Sequence, residues 1–237
     1  MGRIIRWLLT PLIILALLFV GANLFVAHLA EGKIATALQS SFHLSAKPAV
    51  RIGGFPIIFN ILSGKIPRVS FDASGATFEG LTVQQIKVAL VDVTARGGFL
   101  HGGSIRLDVG AGTVQARATN GAVNAYLKEK GQNASISFHA GRAVVRAVRS
   151  FLGRSRVLVA TGAISREGTS FVFRPASVTV DGHAVPPGTE ALAEQKTTIK
   201  VHLPKLPGGI TSYRVEAVEG AVTIVAVLRN QLLDLSG

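Results

Sequence analysis

A run of basic residues in the middle of the chain has the chemistry to bind a phosphate group. No acidic residue occurs between Glu129 and Glu167. The basic residues in this stretch are Lys130, Arg142, Arg146, Arg149, Arg154, Arg156 and Arg166. The arginine guanidinium is a planar fork of donors that matches the oxygens of a phosphate. The run therefore predicts either a site for a phospholipid head group or a solvated basic surface beside an anionic membrane.

A second block, at residues 49–64, combines a break in the chain with an apolar run. Its sequence is AVRIGGFPIIFNILSG, in which Gly53-Gly54 interrupts a strand and Pro56 fixes a turn. The apolar residues that follow are Ile57, Ile58, Phe59, Ile61 and Leu62. The run indicates either ordinary core packing or a lip that faces lipid.

Residue types that catalyse reactions are present but scattered. The chain has no cysteine, which excludes disulfides, thiolate metal sites and cysteine catalysis. Its six histidines and 13 acidic residues do not cluster, and it contains no nucleophile elbow, P-loop or zinc-protease motif. Asp181 and His183 are close in sequence, a spacing more typical of a polar loop. The sequence therefore predicts no catalytic residue, no metal site and no cofactor, and hence a protein that is not an enzyme.

The formal net charge of +12 at pH 7 limits the kind of partner and says little about the fold. Nucleic acid, anionic lipid head groups and acidic glycan are the anions that would match it. The N-terminal segment decides among them. Residues 7–30 carry no acidic or basic side chain other than His28 and exceed the roughly 20 apolar residues that a helix needs to cross a bilayer. Arg3 and Arg6 precede this run, so the positive-inside rule places the N-terminus in the cytoplasm and exports the rest.

We therefore expect residues 1–30 to form a transmembrane anchor and residues 31–237 to form one domain outside the cytoplasm. Export argues against nucleic acid as the partner and favours lipid. A cleaved signal peptide is the rival interpretation, because Val20-Gly21-Ala22 offers residues that a signal peptidase tolerates. The apolar run continues well past Ala22, which favours a single-pass, uncleaved anchor over an exported soluble protein.

Hydrophobic periodicity predicts one helix and then many strands. Residues 31–44 place Ile34, Ala37, Leu38 and Phe42 on one helical face, which either packs on the domain or lies on the membrane. From Ala46 onward apolar and polar residues alternate. Segments with this strand pattern are 69–73, 83–90, 104–109, 113–118, 134–140, 156–164, 169–180, 197–203, 213–219 and 221–228. Few helices and many alternating strands predict an α+β, mostly β fold with a largely antiparallel sheet.

Three local signals refine this pattern. Gly110-Ala111-Gly112 lies between two strand segments and predicts a hairpin turn, because glycine accepts the positive φ of tight turns. Asn120 as an N-cap and Gly131 as a C-terminal glycine predict a short helix that carries Val123, Tyr126 and Leu127 on one face. Residues 141–153 fit either a short helix or a strand and loop.

The apolar block also resembles a known family. The stretch VRIGGFPIIFNILSG, followed by RVSFDASGATFEGL, is similar to the LmeA-like phospholipid-binding proteins of actinobacterial envelopes, whose usual pattern is I-x-G-F-P-F-L-x-Q-L-x-x-G. Ile52, Gly54, Phe55, Pro56 and Gly64 match this pattern, and Gly80-Leu81 with Ile86, Val88 and Leu90 match a later segment approximately. The chain departs from the pattern at Ile57, where phenylalanine is common, and at Asn60, where glutamine is common. The likeness is strongest over residues 31–95.

The resemblance implies a protein outside the cytoplasm that binds phospholipid, with anionic phosphoinositide-type lipid favoured and a role in envelope lipid or lipoglycan metabolism. It also implies a long curved sheet wrapped on one or two helices, similar to tubular lipid-binding folds.

These inferences lead to one mechanism and a set of site residues. The apolar run would shield or admit acyl chains, arginines would meet the phosphate, and the anchor would hold the site near its membrane. The predicted lipid-binding residues are Arg51, Phe55, Pro56, Ile57, Phe59, Leu62, Arg142, Arg146 and Arg149. Two other functions stay open: a scaffold that recruits envelope proteins through its basic surface, and an enzyme that acts on lipoglycan, for which the sequence offers no convincing site.

Overall fold

The computed structural model describes residues 2–41, 44–78, 80–96, 106–151, 153–167, 170–185, 188–202 and 213–234. The helices within these ranges are α1 (Gly2–Ser41), α2 (Ile57–Ser63), α3 (Asn120–Glu129) and α4 (Glu190–Thr197). The strands are β1 (Ala49–Gly53), β2 (Lys65–Phe78), β3 (Leu81–Arg96), β4 (Arg106–Thr119), β5 (Ala134–His139), β6 (Arg142–Phe151), β7 (Arg154–Glu167), β8 (Ser170–Val180), β9 (His183–Ala184), β10 (Ile199–His202), β11 (Tyr213–Val218) and β12 (Ala221–Asp234).

The strands form two antiparallel sheets. The first sheet has the order β1-β2-β3-β4-β12-β11, and the second has the order β10-β8-β7-β6-β5, with β9 paired to β8. Neither sheet closes on itself, because no hydrogen-bonded pairing joins the two ends of either order among the described strands. The α+β, mostly β class expected from the sequence is confirmed. The strands are shared between two open sheets, however, and do not form a single curved, tubular sheet.

Helix α1 runs without interruption through the apolar N-terminal segment and the amphipathic segment after it. Among the described residues, the stretch Leu12–Ser40 is the one helical segment long and apolar enough to cross a membrane, and an 18-residue window within it has a mean hydropathy of 2.5. At 1.5 Å per residue, the 40 residues of α1 span roughly 60 Å, about twice the hydrocarbon thickness of a bilayer. One half of the helix therefore suffices to cross a membrane, which leaves the other half for packing.

The C-terminal half of α1 packs on the first sheet. Its buried residues are Asn23, Ala27, Ala35 and Leu38, with Ile34 partly buried beside them. These positions recur every three to four residues and form one helical stripe. The predicted face is shifted slightly, because Ala37 is exposed, and Phe42 lies outside the described residues. From Leu12 onward, the first buried side chain of α1 is Asn23, so the packed part of the helix starts before residue 31.

Two apolar clusters hold the sheets and helices together. One lies between α1, α2 and the first sheet and is built on Ile57, Ile66, Val93 and Leu228, together with other residues of β1, β3 and β4. The other joins the two sheets around α3, with Leu127, Phe138, Val145 and Phe173 among its buried members. The two sheets also meet at their hairpin ends, where the Gly141 N–H donates to the Ala217 carbonyl at 2.9 Å.

The hairpin predicted at Gly110-Ala111-Gly112 is wrong. Strand β4 continues through all three residues, and its neighbour β12 pairs with it at Ala111 and Gly112. A Cβ atom added at Gly112 would lie 2.7 Å from Leu90 Cδ2 and 3.0 Å from the Ala89 carbonyl oxygen. Glycine is needed at this position because the neighbouring strand packs closely against it.

The short predicted helix exists, with a different cap. Helix α3 begins at Asn120, and the N-cap is Thr119, whose hydroxyl accepts the Ala122 N–H at 3.4 Å. The Asn120 side chain instead accepts the Phe138 N–H at 3.0 Å and so ties the helix to β5. Gly131 has φ +70°, as expected for a glycine that follows a helix. Residues 142–151, left open by the sequence, form strand β6.

Candidate functional site

Three of the predicted site residues form an exposed apolar surface next to α1. Phe55, Phe59 and Leu62, here called the lip, are 66%, 60% and 71% exposed. The Phe55 ring meets the Phe19 ring of α1 edge-on, with 6.0 Å between the ring centroids. The exposed large apolar residues of α1 extend from Leu12 to Leu29. The lip is therefore continuous with the apolar surface of the helix.

The backbone around the lip follows from two glycines and a proline. Gly54 has φ +114°, and a Cβ atom there would lie 2.7 Å from Asn60 Nδ2, so a side chain is excluded. Pro56, joined to Phe55 by a cis peptide bond, directly precedes the first helical residue. Helix α2 then ends at Gly64 with φ +68°, a left-handed conformation that glycine adopts at no steric cost. Residues 57–63 are thus a short helix, which the sequence analysis did not predict.

A buried asparagine of α1 fixes the start of α2. Asn23 is 2% exposed, and its Oδ1 accepts the N–H of Ile57 at 2.6 Å and the N–H of Ile58 at 3.3 Å. The N-cap residue Pro56 makes no side-chain cap hydrogen bond. Asn23 therefore supplies from another helix the acceptor that an N-cap side chain normally provides. Sequence reasoning missed this residue, because its partner lies 34 positions away.

A second polar residue of α1 holds strand β1. Glu31 Oε1 accepts the Ile52 N–H at 2.8 Å. Together with Asn23, it anchors both sides of the Gly53–Pro56 turn to α1. The position of the lip relative to the helix is therefore set by two hydrogen-bonded side chains in addition to apolar packing.

The other predicted residues of this region have different surroundings. Ile57 is buried in the cluster between α2 and the first sheet, and Pro56 is partly buried. Arg51 is exposed on β1, opposite Ser70 of β2, on an outer surface that it shares with Asp72 and Lys87. Arg51 is thus near an acidic as well as a basic side chain.

The three predicted arginines of β6 do not share one face. Successive side chains of a strand point to opposite faces. The Arg149 side chain lies on the same face of β6 as the buried residues Val145 and Ala147. Arg142 and Arg146 are exposed on the opposite face. All three lie on the second sheet, while the lip is attached to the first.

A narrow apolar cavity lies between the two sheets at α3. Its free volume is about 80 Å³. Its lining residues are Leu81, Val83, Ala116, Ala118, Val123, Tyr126, Leu127, Ile136, Phe138, Ile164, Phe171, Phe173, Ile199, Val222 and Ile224. Pockets that enclose a small ligand measure about 300–1,000 Å³, so the cavity is smaller than such a pocket.

A larger polar groove adjoins this cavity. Its volume is about 520 Å³, and Tyr126, Leu127 and Ile199 line both spaces. The charged residues that line the groove are Lys130, Arg149, Lys196 and Lys200, and no carboxylate lines it among the described residues. Among the predicted lipid-binding residues, Arg149 is the one that lines this groove, and Lys130 of the predicted basic run lines it as well.

Asp181 and His183 lie in a turn and their contacts are those of a turn rather than of a catalytic pair. The Asp181 carboxylate accepts the Val157 N–H at 3.0 Å and Arg156 Nη1 at 2.7 Å. The hydrogen bond from Val157 and the Arg156 guanidinium lower the pKa of Asp181 below its usual range. The His183 ring contacts the backbone carbonyl of Asp181. These contacts close the β8–β9 turn, as the loop interpretation expected.

Comparison with known proteins gives one match. The model of the LmeA-like phospholipid-binding family matches residues 21–227, which include the lip, the packed half of α1 and both sheets except the last residues of β12. Neither the curated proteins nor the solved structures that were compared with the chain gave a match.

Proposed function

We propose that this chain, which belongs to the LmeA-like phospholipid-binding family, binds anionic phospholipid on the outer side of the membrane that α1 enters. In this proposal it sequesters or carries the lipid in cell-envelope metabolism and does not change it chemically. The observation that carries the proposal is the continuity between the exposed lip and the apolar surface of α1. A lip in that position meets acyl chains as soon as α1 is in a bilayer.

The physics of the lip supports contact with hydrocarbon. Complete burial of a leucine or phenylalanine side chain stabilises by about 1.5–3 kcal/mol. Phe55, Phe59 and Leu62 are each more than half exposed, so they have most of this free energy still to gain. Tertiary restraints from Asn23 and Glu31 hold them together, and insertion therefore requires little further ordering of the backbone.

Charge supports the choice of an anionic lipid. Each Lys or Arg near an anionic membrane surface contributes roughly 1 kcal/mol of attraction. The chain has 25 Lys and Arg against 13 Asp and Glu. Arg51, Arg142, Arg146 and Arg149 remain the proposed phosphate contacts, and Arg149 has the surroundings that suit this role best.

The proposal is tested with the full chain in nanodiscs that contain a trace of phosphatidylglycerol with a photoactivatable acyl chain. We expect cross-links to the lip in addition to those along α1. The variant F55S/F59S/L62S should lose the cross-links beyond α1. The matched control V91S/V148S/V227S changes three exposed apolar residues on the sheets and should retain them. Cross-links confined to α1 in the unmodified chain would contradict the proposal.

A further inference from the structure

The cavity and the groove have complementary chemistry at a shared boundary. The cavity wall is apolar throughout its described lining, whereas the groove gathers four cationic side chains. Tyr126, Leu127 and Ile199 belong to both walls, so an elongated molecule in the groove has an apolar space directly beside it. A charged end next to an apolar tail is the pattern of an anionic amphiphile.

The cations of the groove come from separate parts of the chain. Lys130 follows α3, Arg149 is on β6, Lys196 is in the last turn of α4, and Lys200 is on β10. The fold therefore brings together charges that are distant in sequence. Like charges repel one another, so their convergence without an acidic neighbour suits a site that receives an anion.

The individual contacts leave these charges available. Among the described residues, no carboxylate lies within 4.0 Å of Lys130, Arg149, Lys196 or Lys200. Arg149 Nη1 donates to the carbonyls of Asn133 and Val148 at 3.0 and 3.2 Å, which orients the guanidinium without neutralising it. The Lys130 ammonium lies 5.5 Å from the centroid of the Tyr126 ring. Both cations are thus held in position at the rim of the groove.

We propose that the groove and the cavity form one site for an anionic amphiphile, with a phosphate at the four cations and an acyl chain between the sheets. This inference rests on the proposed function and assigns its head-group site. Since the cavity has a free volume of only about 80 Å³, an entering chain must displace side chains of α3 such as Val123 and Leu127. The bound state therefore has a wider space between α3 and the second sheet.

This site is distinct from the lip. Val83 lines the cavity near the start of β3, whereas Val93 packs with Ile57 of α2 near its end. Ten residues of strand separate them, or roughly 30 Å at 3.3 Å per residue. The lip contacts the membrane that holds α1, whereas the cavity lies farther along the first sheet and the groove lies beside it, against the second sheet. A lipid in the groove has therefore left that membrane.

The test uses the full chain in nanodiscs and a monomeric probe, photoactivatable lysophosphatidic acid, with lysophosphatidylcholine as the zwitterionic comparison. We expect the anionic probe to label cavity residues such as Phe171 and Ile199. The variant K196Q/K200Q should lower this labelling roughly thirtyfold, because two of the four charges that attract the phosphate are removed. K87Q/R117Q removes two charges from the exposed outer face of the first sheet and should leave the labelling unchanged.

A second pair of variants tests the chain site. A116F fills the cavity and should abolish labelling there, while A111F introduces the same residue on the exposed face of β4 and should not. Inorganic phosphate in large excess should compete only weakly, and strong competition would identify a site for free phosphate. Equal labelling by both probes, or an equal effect of K196Q/K200Q and K87Q/R117Q, would overturn the inference. The cross-links to the lip do not depend on these outcomes. Each of the two proposals can therefore be refuted without refuting the other.

Discussion

Replacement of Asn23 by alanine tests whether one buried side chain of α1 positions the lip. The Asn23 side chain accepts two N–H groups at the start of α2, at 2.6 and 3.3 Å, and it is almost fully buried. Alanine leaves these two donors without an acceptor in an environment that water reaches poorly. A buried donor left unpaired costs about 1–3 kcal/mol, and loss of an N-cap residue costs a similar amount. The two figures describe the same lost contact, so we expect Asn23→Ala to lower the free energy of unfolding by about 1–3 kcal/mol.

Two measurements on the full chain in detergent micelles follow this loss. For a domain of this size, 1 kcal/mol corresponds to about 2–4 °C in Tm, which predicts a decrease of roughly 2–12 °C. Hydrogen exchange provides the local readout, because the amides of Ile57 and Ile58 lose their acceptor. Both amides should exchange faster in Asn23→Ala.

The controls separate this contact from general damage to α1. Asn23→Asp keeps an oxygen acceptor at a helix N-terminus, so the amides of α2 should stay protected. Leu24→Ala changes an exposed neighbour in the same helix and should affect neither readout. If Asn23→Ala left the exchange of Ile57 and Ile58 unchanged, the asparagine would not be the cap of α2. The rigid lip would then have to be attributed to apolar packing alone.

Two further predictions concern the sheets. Gly112→Val should destabilise the protein by about 1–3 kcal/mol in chemical denaturation, because the new side chain meets Leu90 and the neighbouring backbone. In the control Gly121→Ala the added Cβ meets nothing within 4 Å, so this variant should be neutral or mildly stabilising. Arg156→Gln should raise the pKa of Asp181 only part of the way to its usual value in an NMR titration, because the Val157 N–H, the larger cause of the lowering, stays in place when the guanidinium is removed. Since the folded pKa lies below the unfolded one, the stabilisation from this ion pair is present above the unfolded pKa. This stabilisation should disappear as the pH falls through the folded pKa. In Arg156→Gln the free energy of unfolding should therefore depend less strongly on pH in that acidic range.

Local periodicity predicted most of the strands because it reports burial, and burial on one face of a sheet repeats every second residue. Periodicity gave wrong predictions where two different physical causes produce the same sequence pattern. The sequence Gly110-Ala111-Gly112 predicts a turn, but Gly112 occurs there because Leu90 and the backbone of the adjacent strand approach it closely. The TTIKVHL segment was interpreted as one strand, but Thr197 completes α4 and only Ile199 onward extends β10. A glycine or threonine does not by itself distinguish these cases.

The candidate sites show the same limit more sharply. The exposure of Phe55, Phe59 and Leu62 was one of two alternatives in the sequence, since an apolar run is equally consistent with a core. The basic run predicted Arg149 but could not separate it from Arg142 and Arg146, because the face of a strand depends on what packs against it. Lys196 and Lys200 lie outside that run altogether. Their proximity to Arg149 is a property of the tertiary fold, in which residues of α3, α4, β6 and β10 line one groove although β8 and β7 lie between β10 and β6 in the sheet.

Because the packed part of α1 starts at Asn23, the packing of the domain does not depend on whether the segment before Asn23 is kept or cleaved. A cut after Ala22 would leave Asn23 in place, and with it the cap of α2 and the Glu31 contact to β1. It would remove Phe19, the ring that packs edge-on against Phe55. A processed chain would therefore keep the lip in the same shape, with a more exposed Phe55 and no tether to a membrane. Retention of the segment changes where the lip operates, whereas the packing of the sheets depends on residues that both forms contain.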